Sequence, residues 1–410
     1  MTEKPERVVV TGMGVASPLG CDLIGFWNGL VEGRSGVVSL DGSNFSDVSL
    51  KIGAIVRGYE ESQYFDVKEA RRLSRSSQLA LVAAQQAVTY AKLENDINRI
   101  AVGVLVGSSI GGYSASDPFF KSYHATGRLS PFTIPISMNI GPGAGISIKY
   151  GFQGMLVDVD AACSTAAHSI GYAFNMIRSG LMNVAVTGAA DSPFSPAVVG
   201  AWMALRAVSS RVDSPAEACR PFSADRDGMV LGEGAGILVL EAESHALRRG
   251  IPILGEVKGY GASADSSHLT QPTQKGPVLA MQRAMADAGL SMNEIDYINA
   301  HATATEWNDK NETKAIKEVF GERAYKIPVV GNKAAFGHSI AGSGALELIG
   351  CILSLRDQIV PPTINYKVPD PECDLDYVTE GSRKLPLRNV MSNSFAFGGS
   401  NAVLIVGKYE

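Results

Sequence analysis

The sequence predicts an α/β protein whose sheets are buried between helices, and three observations carry that prediction. Short β-rich runs alternate with longer helical patterns along all 410 residues. Several strand candidates are continuous apolar runs, as expected where both faces of a sheet are covered. Glycine is over-represented, at 44 residues or about 11% against a typical ~7%. Without a period-three repeat, that excess signals tight turns and close backbone approaches. Dividing the length by about 150 residues per domain gives two or three folding units.

The first strand, Arg7–Thr11, follows Met-Thr-Glu-Lys-Pro-Glu directly, so no signal peptide is expected there. A helix is expected over Ser76–Ala91, then strands over Ile100–Val106 and Leu156–Val159. The uncharged run Leu129–Ile148 has the length of a membrane span. Pro131, Pro135 and Pro142, with Gly141, Gly143 and Gly145 among them, forbid a continuous helix there. A helix over Thr165–Ser179 is read from Ala166, Ile170, Ala173, Phe174 and Ile177. Strands at Val184–Thr187 and Gly236–Glu241 lead to the charged stretch Glu243–Gly250, the expected seam between halves 1–250 and 251–410. The pattern then restarts with strands at Ile253–Gly259, Ile295–Ala300, Val329–Gly331 and Ala402–Gly407. Helices are expected among them at Pro277–Ala288, Asn308–Phe320 and Gly344–Leu355. Val10-Thr11-Gly12 near one start and Gly259-Tyr260-Gly261 near the other hint at a duplication.

Charge excludes one class of partner. Lys plus Arg is 36 against 41 Asp plus Glu, a net charge of -5, so no basic excess exists to hold a nucleic acid. Five cysteines with no CxxC pair suit neither a disulfide framework nor a zinc ribbon. The cytoplasm is the default address.

Among candidate sites, Gly12-Met13-Gly14-Val15 lacks the third glycine of a dinucleotide fingerprint and reads as a structural turn. Gly107-Ser108-Ser109-Ile110-Gly111 matches a nucleophile elbow. The residues after it, Gly-Gly-Tyr-Ser-Ala-Ser-Asp-Pro, read as loop and weaken Ser109 as a nucleophile. Cys163 is the stronger candidate. It lies between a strand and the first turn of a helix, where free N–H groups and the helix dipole favour thiolate. Small neighbours Ala161, Ala162 and Ser164 leave room for a substrate. A buried cysteine acting as a small hydrophobe is the plainer alternative. Cys21 reads as turn, Cys351 as mid-helix, and Cys219 and Cys373 as polar loop.

His301 ends one strand, and His338 follows another within Lys333-Ala-Ala-Phe-Gly-His338. Strand ends are where α/β folds present their chemistry. A cysteine and two histidines at three such ends, with Lys333 beside one, fit a thiolate served by imidazoles. His124, His168, His245 and His268 lack this context, and no HxxxH or HExxH spacing points to a metal. Phe395-Ala396-Phe397-Gly398-Gly399 reads as a mobile gate with backbone N–H groups facing a pocket, or as a hairpin turn with two core aromatics.

Together these segments resemble the β-ketoacyl-[acyl-carrier-protein] synthases. The likeness runs through VVVTGMGVASPLG, DAACSTAAHSIG, RPFSADRDGMVLGEGAG, NAHATATEWND, GNKAAFGHSIAGSGALE and SNSFAFGGSNAVLIV. The resemblance implies a thiolase-like fold of two related halves stacked as five αβαβα layers. It implies that Cys163 accepts an acyl group from a carrier-protein thioester. Malonyl-carrier protein then decarboxylates and attacks that thioester, giving a 3-oxoacyl product for fatty acid or polyketide synthesis. In that scheme His301 and His338 stabilise the enolate, and the N–H groups of Cys163 and Phe397 form the oxyanion hole. Lys333, paired with Glu347, fixes the electrostatics around His338. Thr303 and Thr305 hold the pantetheine arm, and Ile110, Phe395 and Phe397 line the acyl site. No cofactor is implied beyond the carrier's own phosphopantetheine.

The implied partners are an acyl carrier protein and a second chain, either another copy or a chain-length-factor-like homologue in secondary metabolism. Docking of an acidic carrier needs a local basic patch. Lys68, Arg71, Arg72 and Arg75 are spaced as one helix face, and Arg206 and Arg211 match a second docking segment. Four positions depart from the family pattern: Ala302 and Ala396 for glycine, Trp307 for a small residue, and Asn332 for a hydroxyl residue. Alanine at 396 is expected to stiffen the gate. The rivals are a non-condensing partner subunit, which would lack Cys163, a thiolase-type enzyme, which would lack one histidine, and a Ser109 hydrolase.

Overall fold

The computed structural model describes residues 5–43, 45–94 and 97–410. The opening Met-Thr-Glu-Lys, where no signal peptide was expected, lies outside them. Val8–Ala16 forms β1, longer than the apolar triplet alone suggests and buried throughout. After a shorter helix at Leu23–Val31 and a few short elements comes helix α1, Arg75–Tyr90, which starts at Ser74, whose side chain accepts the Ser77 N–H. Then come β2 (Val102–Gly107), α2 (Gly111–Thr126), α3 (Gly141–Tyr150) and β3 (Leu156–Val157). Helix α4 (Thr165–Arg178), β4 (Val184–Asp191), α5 (Pro196–Ala204) and β5 (Gly234–Ala242) complete the first half.

The second half runs β6 (Gly255–Ala264), α6 (Lys275–Ala288), β7 (Tyr297–Asn299) and α7 (Glu306–Phe320). It continues with β8 (Val329–Val330), α8 (Ser343–Asp357), β9 (Asn389–Phe395) and β10 (Ser400–Gly407).

The strands hydrogen-bond in the order β8-β7-β9-β10-β6-β1-β5-β4-β2-β3. Adding five to each number of the first half, 3-2-4-5-1, gives 8-7-9-10-6, the order of the second. Directions repeat as well. In each half the last two strands pair antiparallel, as does the first with the last, while the three strands farther out run parallel. The halves meet where β1 and β6 pair at Val8↔Val257, Val9↔Glu256 and Val10↔Gly255. Helices α4 and α8 lie between the two sheet halves, with α1 and α6 on the outside, which gives the five layers. Every residue of α8 from Ser343 to Leu355 is buried, as a helix apolar on all sides must be.

The glycine pairs that hinted at duplication have a common cause. A Cβ on Gly12 or Gly14 would lie 2.1 or 2.0 Å from a carbonyl oxygen of α1, and one on Gly259 or Gly261 would lie 2.5 or 2.1 Å from one of α6. Each bare strand lets its outer helix settle onto the sheet. Gly12 and Gly14 therefore sit inside a strand, not in the expected turn.

Three further expectations are corrected. The residues after Gly107-Ser108-Ser109 form helix α2 instead of a loop. Lys68 to Arg75 is not one helix. A short helix ends at Ala70, and α1 begins only at Arg75. Cys219 and Cys373 are fully buried, not in exposed polar loop. The Leu129–Ile148 run is broken as expected, with Thr133–Ser137 separate from α3. Among the described residues no helix is long and apolar enough to cross a membrane.

Candidate active site

The parallel strands of both halves deliver their following loops to one cavity of about 430 Å³. Cys163 arrives after β3 and His338 after β8, so the two occupy matching places in the duplicated pattern. His301 arrives after β7, and Phe397 lies in the turn between β9 and β10. The Cys163 sulfur and one ring nitrogen from each histidine lie within 4.8 Å of one another. All three residues are buried and line the cavity, which brings together the trio read from the sequence.

Local strain sets two of them. Ala162, next to Cys163, has φ of +48°, and Ala302, next to His301, has φ of +44°. This region disfavours side chains, and such residues cluster at functional sites. Glu312 of α7 holds the second turn by accepting the backbone N–H groups of His301 and Ala302 at 2.8 and 2.9 Å. Ala302 thus occupies its unusual position under restraint.

Lys333 Nζ donates to Glu347 Oε1 at 2.6 Å and to the His301 carbonyl at 2.7 Å, and it lies 3.4 Å from His301 Nδ1. The ammonium contacts His301 directly and acts on His338 through its charge. With a donor facing Nδ1, the His301 ring keeps its proton on Nε2 and presents an N–H to the cavity. His338 Nδ1 meets the Ser343 hydroxyl at 2.9 Å, and its Nε2 is buried without a partner. That nitrogen is the open position of the site. The trio has the spacing of a metal cluster, but the wiring opposes one. A ligating imidazole passes its other N–H to an acceptor, and His301 faces an ammonium instead.

Electrostatically Cys163, His301 and His338 rest uncharged. Burial pushes the Cys163 thiol up to about 12, outweighing Lys333 and the N–H groups of Phe397 and Cys163 itself, which pull it down. The thiolate expected from the helix start is therefore not the resting form. Burial, and then Lys333, hold both imidazoles well below their ordinary value, so they are neutral. Burial also lifts Glu347 to about 7 against the pull of Lys333.

Thr303 and Thr305 line the cavity with their hydroxyls 2.8 Å apart. Phe395 lines it too, its ring 5.9 Å from that of His301. Phe397 stacks on Trp202 at 5.9 Å. Trp307 stands 68% exposed at the mouth. Ile110 lines an adjoining apolar pocket of about 490 Å³, which shares Trp202 and Leu205 with the cavity. Glu347 is fully buried behind Lys333 and lines neither of these two cavities, so it is not a substrate contact. Phe397 lies in a hairpin turn, since β9 pairs with β10 up to Phe395↔Asn401. Ala396 is extended at φ of −132°, a conformation open to any residue. Asn332 turns away from the cavity and donates to Asn299 at 2.7 Å.

Of the expected docking cations, Lys68, Arg71, Arg72 and Arg206 are exposed. Arg75 is committed to the buried Glu233 at 2.8 Å and stacks over Tyr59. Arg211 is tied to Asp225 and Asp227. Neither offers a free charge. Among the described residues no hydrogen bond joins the Ser109 hydroxyl to a histidine.

Sequence reasoning missed several supporting groups. Asp191, buried at the end of β4, accepts the Ser108 hydroxyl and the N–H groups of Ser109, Ile110, Gly111 and Ala341. Arg226, nearly inaccessible, pairs with Asp370 and approaches Asp309 beneath the cavity wall. Each joins segments far apart in sequence, so no local pattern announces it.

Comparison with known proteins agrees with this geometry. Residues 5–246 match the model of the β-ketoacyl synthase N-terminal domain, and residues 254–367 match that of its C-terminal domain. A 3-oxoacyl-[acyl-carrier-protein] synthase 2 of Synechocystis sp. is 40% identical, with 99% of each chain covered. Nodulation protein E of Rhizobium meliloti is 41% identical, covering 97% of this chain and 98% of that one. Among solved structures, the ishigamide ketosynthase/chain length factor aligns with a TM-score of 0.92 at 33% identity over 99% of this chain and 100% of that one. A type II polyketide ketosynthase, solved with its acyl-carrier protein and a bound hexaketide, aligns at 0.91 and 30% identity with the same coverage. A duplicated fold, a cysteine and two histidines meeting across its halves, and full-length likeness at this level converge on one answer: the chain belongs to the β-ketoacyl synthase family.

Proposed function

We propose that the chain catalyses decarboxylative Claisen condensation on carrier-protein thioesters. The observation that carries this reading is the buried Cys163 sulfur beside two neutral imidazoles, with the Phe397 and Cys163 N–H groups facing it. In the first step the sulfur attacks an acyl-carrier thioester. The C–S bond to pantetheine breaks, and the proton of the Cys163 thiol ends on the departing pantetheine sulfur. The two backbone N–H groups receive the oxyanion of the tetrahedral intermediate. In the second step a malonyl-carrier thioester loses CO2, and its enolate oxygen accepts N–H bonds from His301 and His338. A neutral donor pair is apt here, because it stabilises a developing anion without drawing the malonyl carboxylate into a fixed ion pair. The carbanion attacks the acyl carbon on Cys163, the C–S bond breaks, and one proton restores the thiol. The product is a 3-oxoacyl-carrier two carbons longer.

Thr303 and Thr305, on the cavity wall, suit hydrogen bonding to the pantetheine arm, and the apolar pocket beyond Ile110 suits the acyl chain. The substrates bring their own phosphopantetheine, and the site residues call for no other cofactor and no metal. An acidic carrier protein would dock on the exposed Lys68, Arg71, Arg72 and Arg206. Dimerisation across the edge strand β3 is supported by exposed apolar residues along it and its neighbours: Tyr113, Phe120, Ile148, Met155 and Leu156. The pathway is fatty acid or polyketide synthesis. A heteromeric arrangement is the second reading, favoured by the likeness to a ketosynthase/chain length factor structure.

The purified chain with malonyl-carrier and a panel of acyl-carriers, followed by intact mass, tests the proposal. We expect a 3-oxoacyl-carrier product, an acyl adduct on the wild type and on Ser109→Ala, and no adduct on Cys163→Ala. Full condensation by Cys163→Ala would sink the assignment. Wild-type adduct without product would point to the heteromeric reading.

A further inference from the structure

His168 is a buried histidine that the reaction above leaves unused. It sits in the second turn of α4, five residues after the nucleophile. Its Nδ1 lies 2.5 Å from the Tyr260 hydroxyl of β6, and its Nε2 lies 2.9 Å from the Ser400 hydroxyl at the start of β10. The Ser400 hydroxyl lies 3.2 Å from that of Ser164, which in turn donates to the Ala161 carbonyl at 2.8 Å. The Ser164 hydroxyl donates toward Ser400 as well as Ala161, and Ser400 and the His168 ring complete a continuous chain of contacts to Tyr260. Burial keeps the ring neutral, lowering it to about 4, and keeps the Tyr260 phenol protonated. Tyr260 reaches the ring because Gly171 leaves that face of α4 bare: a Cβ there would lie 2.4 Å from the Tyr260 ring.

Ser164 and Ser400, neighbours in this chain, belong to the two sides of the oxyanion hole. Ala161 and Ser164 bracket the strained turn that presents Cys163. Ser400 closes the hairpin turn that presents Phe397, its carbonyl accepting the Ala396 N–H at 2.9 Å. The opposite side of that turn is held by Asp265, whose N–H donates to the Gly399 carbonyl at 2.9 Å.

We infer that His168 is a positioning residue for acyl transfer: through Ser400 it fixes the Phe397 turn against the nucleophile turn, keeping the Phe397 N–H on the Cys163 sulfur. The inference rests on the acyl-transfer reading above. It separates the roles of the histidines. His168 governs the geometry at the acyl carbon, whereas His301 and His338 act on the malonyl enolate.

The test is a pair of half-reactions on the full-length protein. One is acyl adduct formation on Cys163 from acyl-carrier, timed by intact mass. The other is uncoupled conversion of malonyl-carrier to acetyl-carrier, with no acyl donor present. For His168→Leu and for Ser400→Ala we expect acylation to slow by about ten- to a hundred-fold, the scale of a displaced oxyanion donor. Uncoupled decarboxylation should stay within about twofold of wild type under the same ground rule, because its donors are untouched. His168→Gln, whose amide can still hydrogen-bond Ser400, should recover most of the acylation rate. Equal loss of both half-reactions, or no loss of acylation in either variant, would overturn the inference. A wild type that forms no adduct would instead refute the condensing-enzyme reading, and this inference with it.

Discussion

Lys333 offers the sharpest test of how the site is built, because stability and catalysis should respond to it differently. Its ammonium and the Glu347 carboxylate are both essentially inaccessible and 2.6 Å apart. Lys333→Met strands a buried carboxyl whose Oε2 already lacks a partner. Breaking such a pair costs about 3–5 kcal/mol. The double variant Lys333→Met/Glu347→Gln removes both charges and should regain most of that loss, since neutral replacement of a buried pair is close to energetically even. Catalysis should not follow. His301 has lost the donor that faced Nδ1 at 3.4 Å, so nothing keeps its proton on Nε2, the side facing the enolate. Loss of one aligned donor costs about 10²–10³ in rate, or about 2.7–4 kcal/mol. Chemical denaturation would measure stability, and single-turnover condensation by preformed acyl-enzyme would measure chemistry. A double variant that regained wild-type stability and wild-type condensation would refute the argument, reducing Lys333 to a counter-charge.

Two other outcomes follow from features described above. Charge reversal at Lys68, Arg71 and Arg72 should raise the KM for acyl-carrier several-fold at low salt, with kcat nearly unchanged and the difference fading as salt screens it; an equal effect at high salt would remove these residues from the docking face. Burial lowers His168 from 6.5 to about 4, so the native state resists a proton that the unfolded chain takes up. The stability it contributes is complete above pH 6.5 and is lost as pH falls toward 4, amounting to about 3 kcal/mol. Denaturation of wild type and His168→Gln across that window should show the gap narrowing as pH drops, and parallel curves would contradict the assigned burial.

The alternation of strands and helices was legible because buried parallel strands and amphipathic helices write their patterns locally. So was the grouping of Cys163, His301 and His338, because each stands past a strand end. Helix α2 was not. Gly111-Gly112 and Pro118 read as loop, and what starts the helix is Asp191, about eighty residues away, whose carboxylate accepts the N–H groups of Ser109, Ile110 and Gly111. A remote carboxylate thereby satisfies donors that a capping side chain would otherwise take. The Lys68–Arg75 stripe failed for a readable reason: Ser74 is a helix-capping residue and marks a new start at Arg75. The thiolate expected at Cys163 failed because a helix start is visible in sequence and a desolvated sulfur is not.

The sulfur comes from the first half of the fold and both imidazoles from the second, while among the described residues the strands of the two halves pair only along the Val8–Val10 seam with β6. Turnover is therefore a reading of how the halves are aligned. A slip of about 1 Å between them would cost roughly a hundredfold in rate while leaving each sheet and its helices intact. Mild heat or low denaturant should thus silence the enzyme before circular dichroism registers any loss of structure. A ligand that spans both halves would, by the same logic, protect activity at temperatures where it adds little to the melting point.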